Sequence, residues 1–163
     1  MGRSPLTKPP KDRADDTMTD DQREFDEAVA KVGRAINEFV NGDAGPFKTC
    51  WLQGAQTSIF GGRGAHEVGW EQVSARLDWA ASAFEGGWIE QDVLASVCTA
   101  DFGYSVCLER GQQIVAGRAE ASPSILRVTH IFRRDGGGWG IVHRHADPVI
   151  NRTPADAILQ ESR

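Results

Sequence analysis

The residues of this sequence best suited to proton transfer are His143, His145 and Asp147, which recur at every second position. They end the segment 126–147, which the glycine run 136–138 divides into two stretches typical of a β-hairpin. Because side chains alternate between the two faces of a strand, all three should project from one side of the sheet. Imidazole exchanges protons around neutral pH, and Asp147 could orient one imidazole or stabilise its charged form. If that side lines a pocket, the sequence predicts an acid–base site there.

Two other interpretations of the histidine pair stay open at this point. In the first, one histidine forms a hydrogen bond inside the core and the other lies at a dimer interface. In the second, His143 and His145 bind a metal ion together with a carboxylate. No third strong ligand is visible beside them in the sequence, so no metal site is predicted.

Strict alternation also assigns faces to the rest of the last strand. It places Trp139 and Ile141 on the face of the two histidines, and Val142, Arg144 and Ala146 on the opposite face. A strand that begins apolar and ends in imidazoles and a carboxylate is expected to run from the core into a pocket or its rim.

The preceding strand is partly apolar on both faces, with Val128 and Phe132 on one and Ile131 on the other. A sheet buried on both sides usually carries helices on one face and a partner subunit on the other. The sequence therefore predicts a homodimer formed through the outer face of the sheet, with His130 interpreted as an interface residue.

The remaining elements are read from hydrophobic periodicity. Thr19 and Gln22 form a capping-box pattern before a helix whose apolar positions, 25 to 39, recur at helical spacing and which ends at 41–42. Helices first and antiparallel strands afterwards predict an α+β domain. The other predicted elements are helices at 43–52 and 70–84, and strands at 57–60, 88–99, 102–110, 113–119, 125–134 and 139–147.

Composition limits the classes of function. The 163 residues suit one domain, expected at 19–148, with a disordered leader at 1–18 and a tail at 149–163 that could form a short helix. A net charge of −5 argues against a nucleic-acid partner. No apolar run is long enough to cross a membrane. Three dispersed cysteines are interpreted as buried reduced thiols, and a cytoplasmic location is the expectation.

Several phrases of the sequence resemble the nuclear-transport-factor-2-like superfamily, specifically its SnoaL-like and ketosteroid-isomerase-like bacterial branch. The resemblance covers about 19–148, and it implies helices packed in a strongly curved antiparallel sheet, an α+β cone with a central, mostly apolar pocket. On that pattern Trp51, Trp70 and Trp79 would line the pocket. The phrases that carry the resemblance are Gly69–Val73, Arg76–Ala80, Leu108–Arg110, Arg127–Arg134 and Trp139–Asp147.

The function implied by the resemblance is the binding of a small, mostly apolar organic ligand, with or without proton-transfer chemistry that needs no cofactor. In the catalytic version His143 and His145 act as acid and base and Asp147 orients them. Tyr104 would donate a hydrogen bond to a developing oxyanion, or Arg127 would bind a carboxylate or enolate oxygen. The simpler interpretation of Arg127 is a cross-strand ion pair with Glu109. The alternative function is a non-catalytic ligand-binding or oligomerisation module of the same fold.

Overall fold

A computed structural model describes residues 18–150 and residue 152. The predicted leader, apart from Met18, and the predicted helix near the C-terminus lie outside the described residues. The described chain forms three helices and six strands. In order they are α1 (Asp20–Phe39), α2 (Gly45–Lys48), β1 (Ser58–Phe60), β2 (His66–Val68), α3 (Trp70–Ala81), β3 (Phe84–Cys98), β4 (Phe102–Val115), β5 (Ser122–Asp135) and β6 (Gly138–Pro148).

The six strands form one sheet in the order β2-β1-β6-β5-β4-β3, and the predicted α+β architecture is confirmed. Every neighbouring pair is antiparallel except β1 and β6, which run parallel with Ser58 opposite His143. The sheet is therefore mixed rather than wholly antiparallel, because the short β1 joins the outer edge of the final hairpin.

One long strand, β4, replaces the strands predicted at 102–110 and 113–119, between which Gly111 was left outside both strands. In the fold Gly111 lies inside the strand, opposite Ile89. A Cβ at this position would overlap the carbonyl oxygen of Trp88. The glycine therefore allows a close approach between β3 and β4, which is a recognised role of glycine within a sheet.

Helix α1 begins where the sequence predicts. The Thr19 hydroxyl accepts a hydrogen bond from the backbone N–H of Gln22 at 3.1 Å. The Gln22 side chain does not return to Thr19 but donates to Asp26 and to the carbonyl of Ser96 in β3. The apolar stripe of α1 is buried, and the Phe25 ring packs edge-on against other aromatic rings of the core.

The same helix covers the free edge of β3. The side-chain amide of Asn37 donates to the carbonyl of Ile89 and its oxygen accepts from the Ile89 N–H, at 2.7 and 2.9 Å. Asn41 donates to the carbonyl of Gly87. Unpaired edge groups of a sheet attract other strands, so these contacts protect the edge and fix α1 as one wall of the interior.

A β-bulge in β6 reverses the predicted alternation of faces. His143 lies opposite Ile131 and Ile141 lies opposite Phe132, so Val142 has no partner in β5. Ile141 is fully buried, and after the extra residue Arg144 and Ala146 face the interior. Trp139, before the bulge, also faces the interior and packs against the Phe25 ring. Assigning Trp139 and Ile141 to the face of the histidines was therefore wrong, because a bulge shifts the side-chain period by one residue.

The described residues include no helix with the length and apolarity needed to cross a bilayer.

Candidate ligand cavity and its buried ion pair

The interior of the curved sheet encloses a cavity of about 550 Å³. The three helices lie on one side of it and the inner face of the sheet on the other. Most of its wall is aliphatic or aromatic. Its lining reaches solvent at Arg63 of the β1–β2 loop and at Pro123 and Ile125 at the start of β5, so the entrance lies there. Representative lining residues are Ile36, Phe39, Phe47, Ile59, Leu77 and Ile89.

Two charged side chains of the sheet, Glu109 and Arg144, also line this cavity. The guanidinium of Arg144 donates two hydrogen bonds to the Glu109 carboxylate, at 2.9 Å from Nη1 and 2.7 Å from Nη2. The Glu109 side chain is only 3% exposed and the Arg144 side chain only 8%. This bidentate geometry is the strongest form of an arginine–carboxylate contact.

His130 completes the polar cluster on the same inner face, so its interpretation as an interface residue of the outer face was wrong. Its Nε2 lies 2.8 Å from Nη1 of Arg144, and its Nδ1 lies 3.5 Å from the Ser105 hydroxyl. Because arginine can only donate, Nε2 must accept, so the ring is neutral with its proton on Nδ1. Burial and the adjacent Arg144 charge lower the pKa of His130 to about 3. We call Glu109, His130 and Arg144 the inner cluster.

Electrostatics keep the inner cluster in one protonation state. Burial alone would raise the pKa of Glu109, but Arg144 outweighs it and the pKa falls below its usual range. The pKa of Arg144 is raised by Glu109 against the opposing effect of burial. Gln91 adds a hydrogen bond to Glu109 at 3.1 Å. The cluster is therefore an ion pair with a neutral imidazole at neutral pH.

Arg144 keeps donor capacity for a further group. The guanidinium carries five N–H groups. Its hydrogen bonds to Glu109 and His130 use three of them among the described residues. Two donors thus remain on a cation that lines an apolar cavity, which suits a ligand oxygen.

Comparison with known proteins identifies the architecture. No family model and no curated protein matches the sequence. Among solved structures, an NTF2-like superfamily protein of Salmonella enterica has a TM-score of 0.71 at 17% identity, covering 83% of this chain and 96% of that one. A candidate dehydratase of the NTF2-like family from Streptomyces avermitilis has a TM-score of 0.68 at 20% identity, with coverages of 80% and 97%. A ketosteroid isomerase-like protein from Erwinia carotovora reaches 0.68 at 13% identity, with coverages of 82% and 100%.

The chain has the nuclear-transport-factor-2-like fold. The predicted cone architecture is thus confirmed, and the cavity described above lies at the centre of the cone. Likeness at these identities extends to the fold and not to ligand or reaction.

The predicted acid–base residues lie together on the outside of the cone. His145 Nε2 is 3.1 Å from the Asp147 carboxylate, and His143 Nδ1 is 2.8 Å from the Ser58 hydroxyl. The Phe60 ring packs edge-on against both imidazoles, with centroid distances of 5.0 and 5.2 Å. Burial and the neighbouring His145 lower the pKa of His143. We call His143, His145 and Asp147 the outer cluster; none of its members lines the cavity.

The predicted polar anchors share this outer face. Tyr104 is 40% exposed. It lies opposite Ile131 of β5, which in turn lies opposite His143 of β6. Arg127 pairs with Asp147 at 3.5 Å, not with Glu109. The predicted Glu109–Arg127 ion pair is wrong, because Glu109 points into the cone and Arg127 points out of it.

The three predicted wall tryptophans lie in different places, and none contacts the cavity directly. Trp51 is buried in the core, and Trp70 packs against that core. Trp79 is half exposed, and its ring contacts the guanidinium groups of Arg63 and Arg76, which do line the cavity.

The inner cluster was not predicted, although the sequence carries a weak signal for it. Arg144 stands between Val142 and Ala146, and His130 stands between Val128 and Phe132, so each is a polar residue in an apolar alternation. The two residues are direct partners across β5 and β6. Their pairing depends on the register after the bulge, which no local pattern reveals.

Proposed function

We propose that the protein binds a small, mostly apolar organic molecule inside the cone, with one oxygen of that molecule accepting a hydrogen bond from Arg144. The observation that carries the proposal is the position of this cation, with two N–H groups to spare, on the wall of a mostly apolar cavity. The cavity volume of about 550 Å³ is within the usual range for small-molecule sites.

The energetics of the ion pair support a binding role. Burying two charges costs several kcal/mol per ion, and well-packed apolar residues would often serve stability equally well. The pair thus places hydrogen-bond donors for a ligand at a position where apolar residues would stabilise the fold equally well. We infer that these donors orient the ligand by hydrogen bonding while the surrounding wall supplies affinity.

The electrostatics favour binding over proton transfer within the cavity. Arg144 lowers the pKa of Glu109 against the effect of burial, which makes the carboxylate a weak base. His130, with a pKa of about 3, is neutral, and its Nε2 lone pair is occupied by Arg144. Neither group is poised to exchange a proton near neutral pH.

A cavity-filling substitution tests the proposal with 4-biphenylmethanol as the probe. Ala80 lines the cavity from α3, whereas Ala75, on the same helix, is exposed to solvent. We expect Ala80→Phe to weaken binding at least about tenfold in calorimetric titration, because the new ring occupies ligand space. Ala75→Phe makes the same chemical change outside the cavity and should bind as the wild type does.

Thermal unfolding of both variants checks that the fold is retained. If the probe binds the wild type and Ala80→Phe with equal affinity, the ligand does not occupy the cavity and the proposal is wrong.

A second candidate function uses the outer cluster for acid–base chemistry at the face of a homodimer. Two ordered contacts favour it, His145 with Asp147 at 3.1 Å and His143 with Ser58 at 2.8 Å. Apolar side chains on the same face, including Phe102 and Val97, are about half exposed, and a second copy would cover them. Such a copy would also cover the two imidazoles.

Sedimentation velocity tests the dimer on which this second function depends. We expect a dimer for the wild type and a monomer for Phe102→Glu, because the new charge would be buried in the contact. A wild type that remains monomeric up to the highest measurable concentration would leave the outer cluster open to solvent and remove this candidate.

A further inference from the structure

We propose that the mouth of the cavity is a binding site for an anion, formed by Arg63 and Arg76, so that the ligand class is an apolar organic acid. This inference rests on the proposed function and adds the charge of the ligand to it. Two observations support it: the positions of Arg63 in the β1–β2 loop and Arg76 in α3, and the balance of charge around the cavity.

Arg76 is held in place at the mouth by two acceptors. Its Nη1 donates to Glu67 at 3.1 Å and its Nη2 donates to the carbonyl of Gly64 at 2.7 Å. A Cβ at residue 61 would lie 2.9 Å from Nη2 of Arg76, so the glycine leaves room for the guanidinium. Arg76 is therefore a fixed positive group whose charge Glu67 balances.

Arg63 lies in the β1–β2 loop and lines the cavity. It has no carboxylate partner in the described part of the chain. Its guanidinium carbon lies 4.2 Å from the centre of the Trp79 ring, and that of Arg76 lies 4.6 Å from it. Stacking on an aromatic face orients a guanidinium while leaving its N–H groups free to donate at the edge. The contact with Trp79 therefore orients the Arg63 guanidinium at the entrance.

The balance of charge around the cavity gives the sign of the ligand. Among the described residues, three arginines line the cavity and Glu109 is the single acidic residue of the lining. Glu109 neutralises Arg144, and Glu67 neutralises Arg76, which leaves the charge of Arg63 unbalanced within the part of the chain that the structure describes. The whole chain carries a net charge of −5, so this positive entrance contrasts with the rest of the protein. A ligand with an anionic group at the mouth, an apolar body inside the cone and an oxygen that reaches Arg144 fits both regions.

A matched pair of probes tests the charge of the ligand. 4-Biphenylcarboxylate and 4-biphenylmethanol share one apolar body and differ in charge. We expect calorimetric titration of the wild type to show about fivefold tighter binding of the acid, the size typical of a partly exposed charge pair. The preference should shrink as salt rises, because exposed charges are screened.

Substitution of Arg63 tests whether the tighter binding of the acid depends on the mouth of the cavity. Arg63→Gln should abolish the preference for the acid, because the affinity for the acid should fall about fivefold while the affinity for the alcohol changes much less. Arg63→Lys should retain part of the preference. Arg133→Gln is the control, because it removes an exposed arginine from β5 near the other end of the sheet and outside the cavity lining.

The outcomes separate this inference from the function on which it rests. If both probes bind the wild type equally, or if Arg63→Gln keeps the preference for the acid, the anion site is wrong and the binding cavity stands. If the wild type binds neither probe, the proposed cavity function fails, and the anion site fails with it.

Discussion

The inner and outer clusters differ in environment although they occupy the same two strands. Arg144 and His145 are consecutive in the chain, yet their side chains are 8% and 46% exposed. The inner cluster is a closed network in which every member is buried and one ionisation state is enforced. The outer cluster consists of pairwise contacts open to water. Residue types suited to chemistry therefore acquire different properties from the face on which the backbone places them.

In this strand, the face of the sheet on which a residue lies determines whether it lines the cavity, and its spacing in the sequence does not. Two histidines and a carboxylate at alternate positions do share a face, as the pattern predicts. The cavity, however, lies on the other side, where an arginine reaches a carboxylate contributed by a strand two positions away in the sheet. Substitutions on the two faces should therefore have very different effects, in the following order of size.

Breaking the inner ion pair should have the largest effect. Arg144→Met leaves the Glu109 carboxylate buried without a counter-ion, so we expect a loss of about 3–5 kcal/mol in the free energy of unfolding, measured with urea. Glu109→Met combined with Arg144→Met should recover most of that loss, since no charge then remains buried.

The matched substitution on the outer face is Arg127→Met. Its pair with Asp147 is 3.5 Å long and exposed, so the loss should be less than about 1 kcal/mol. Equal losses for Arg144→Met and Arg127→Met would contradict the distinction between the faces.

The pH dependence of stability should carry the next largest effect. The unfolded chain protonates His130 near pH 6.5, whereas the folded protein does so only near pH 3. Between these values the unfolded state binds more protons, so stability is lost as pH falls through this window, by up to about 1.4 kcal/mol per pH unit. Glu109, whose pKa is lowered, adds a loss of the same sign only below about pH 4.5.

His130→Gln provides the comparison, because its side-chain oxygen can accept from Arg144 without titrating. Denaturation between pH 5 and 6.5 should show a shallower slope for this variant than for the wild type. Parallel slopes would mean that His130 is protonated in the folded protein, against the neutral tautomer deduced from its contact with Arg144.

The smallest effect concerns the outer cluster. His145 contributes to lowering the pKa of His143, after burial. His145→Ala should therefore raise the pKa of His143, followed by NMR titration of its ring protons, yet leave it below the ordinary value because burial remains. An unchanged or lower pKa would show that the two imidazoles do not interact as their 6.5 Å centroid separation implies.

Local chemistry made the helices predictable from sequence. The Thr19 cap and the apolar stripe of α1 depend on residues three or four positions apart, and both were predicted correctly. The α+β class followed from the order of the periodic segments. Strand ends were less accurate, because the role of Gly111 depends on the approach of β3, which is distant in sequence.

The site was harder to predict because it depends on pairing across strands. The bulge at Val142 arises from how β6 aligns with β5, and nothing in its own sequence marks it. Without the bulge, alternation keeps Ile141 with the histidines and hides the link between His130 and Arg144. The functional interpretation from sequence therefore nominated the exposed members of the hairpin and missed the buried ones.

A crystal structure of the protein with 4-biphenylmethanol bound tests the central claim most directly. We expect the biphenyl body inside the cone among the aliphatic and aromatic residues of the cavity wall, with its hydroxyl oxygen within hydrogen-bond distance of Arg144. The Glu109–Arg144 pair should remain intact. A probe located against the outer cluster, or a cavity left empty while the probe binds elsewhere, would contradict the account.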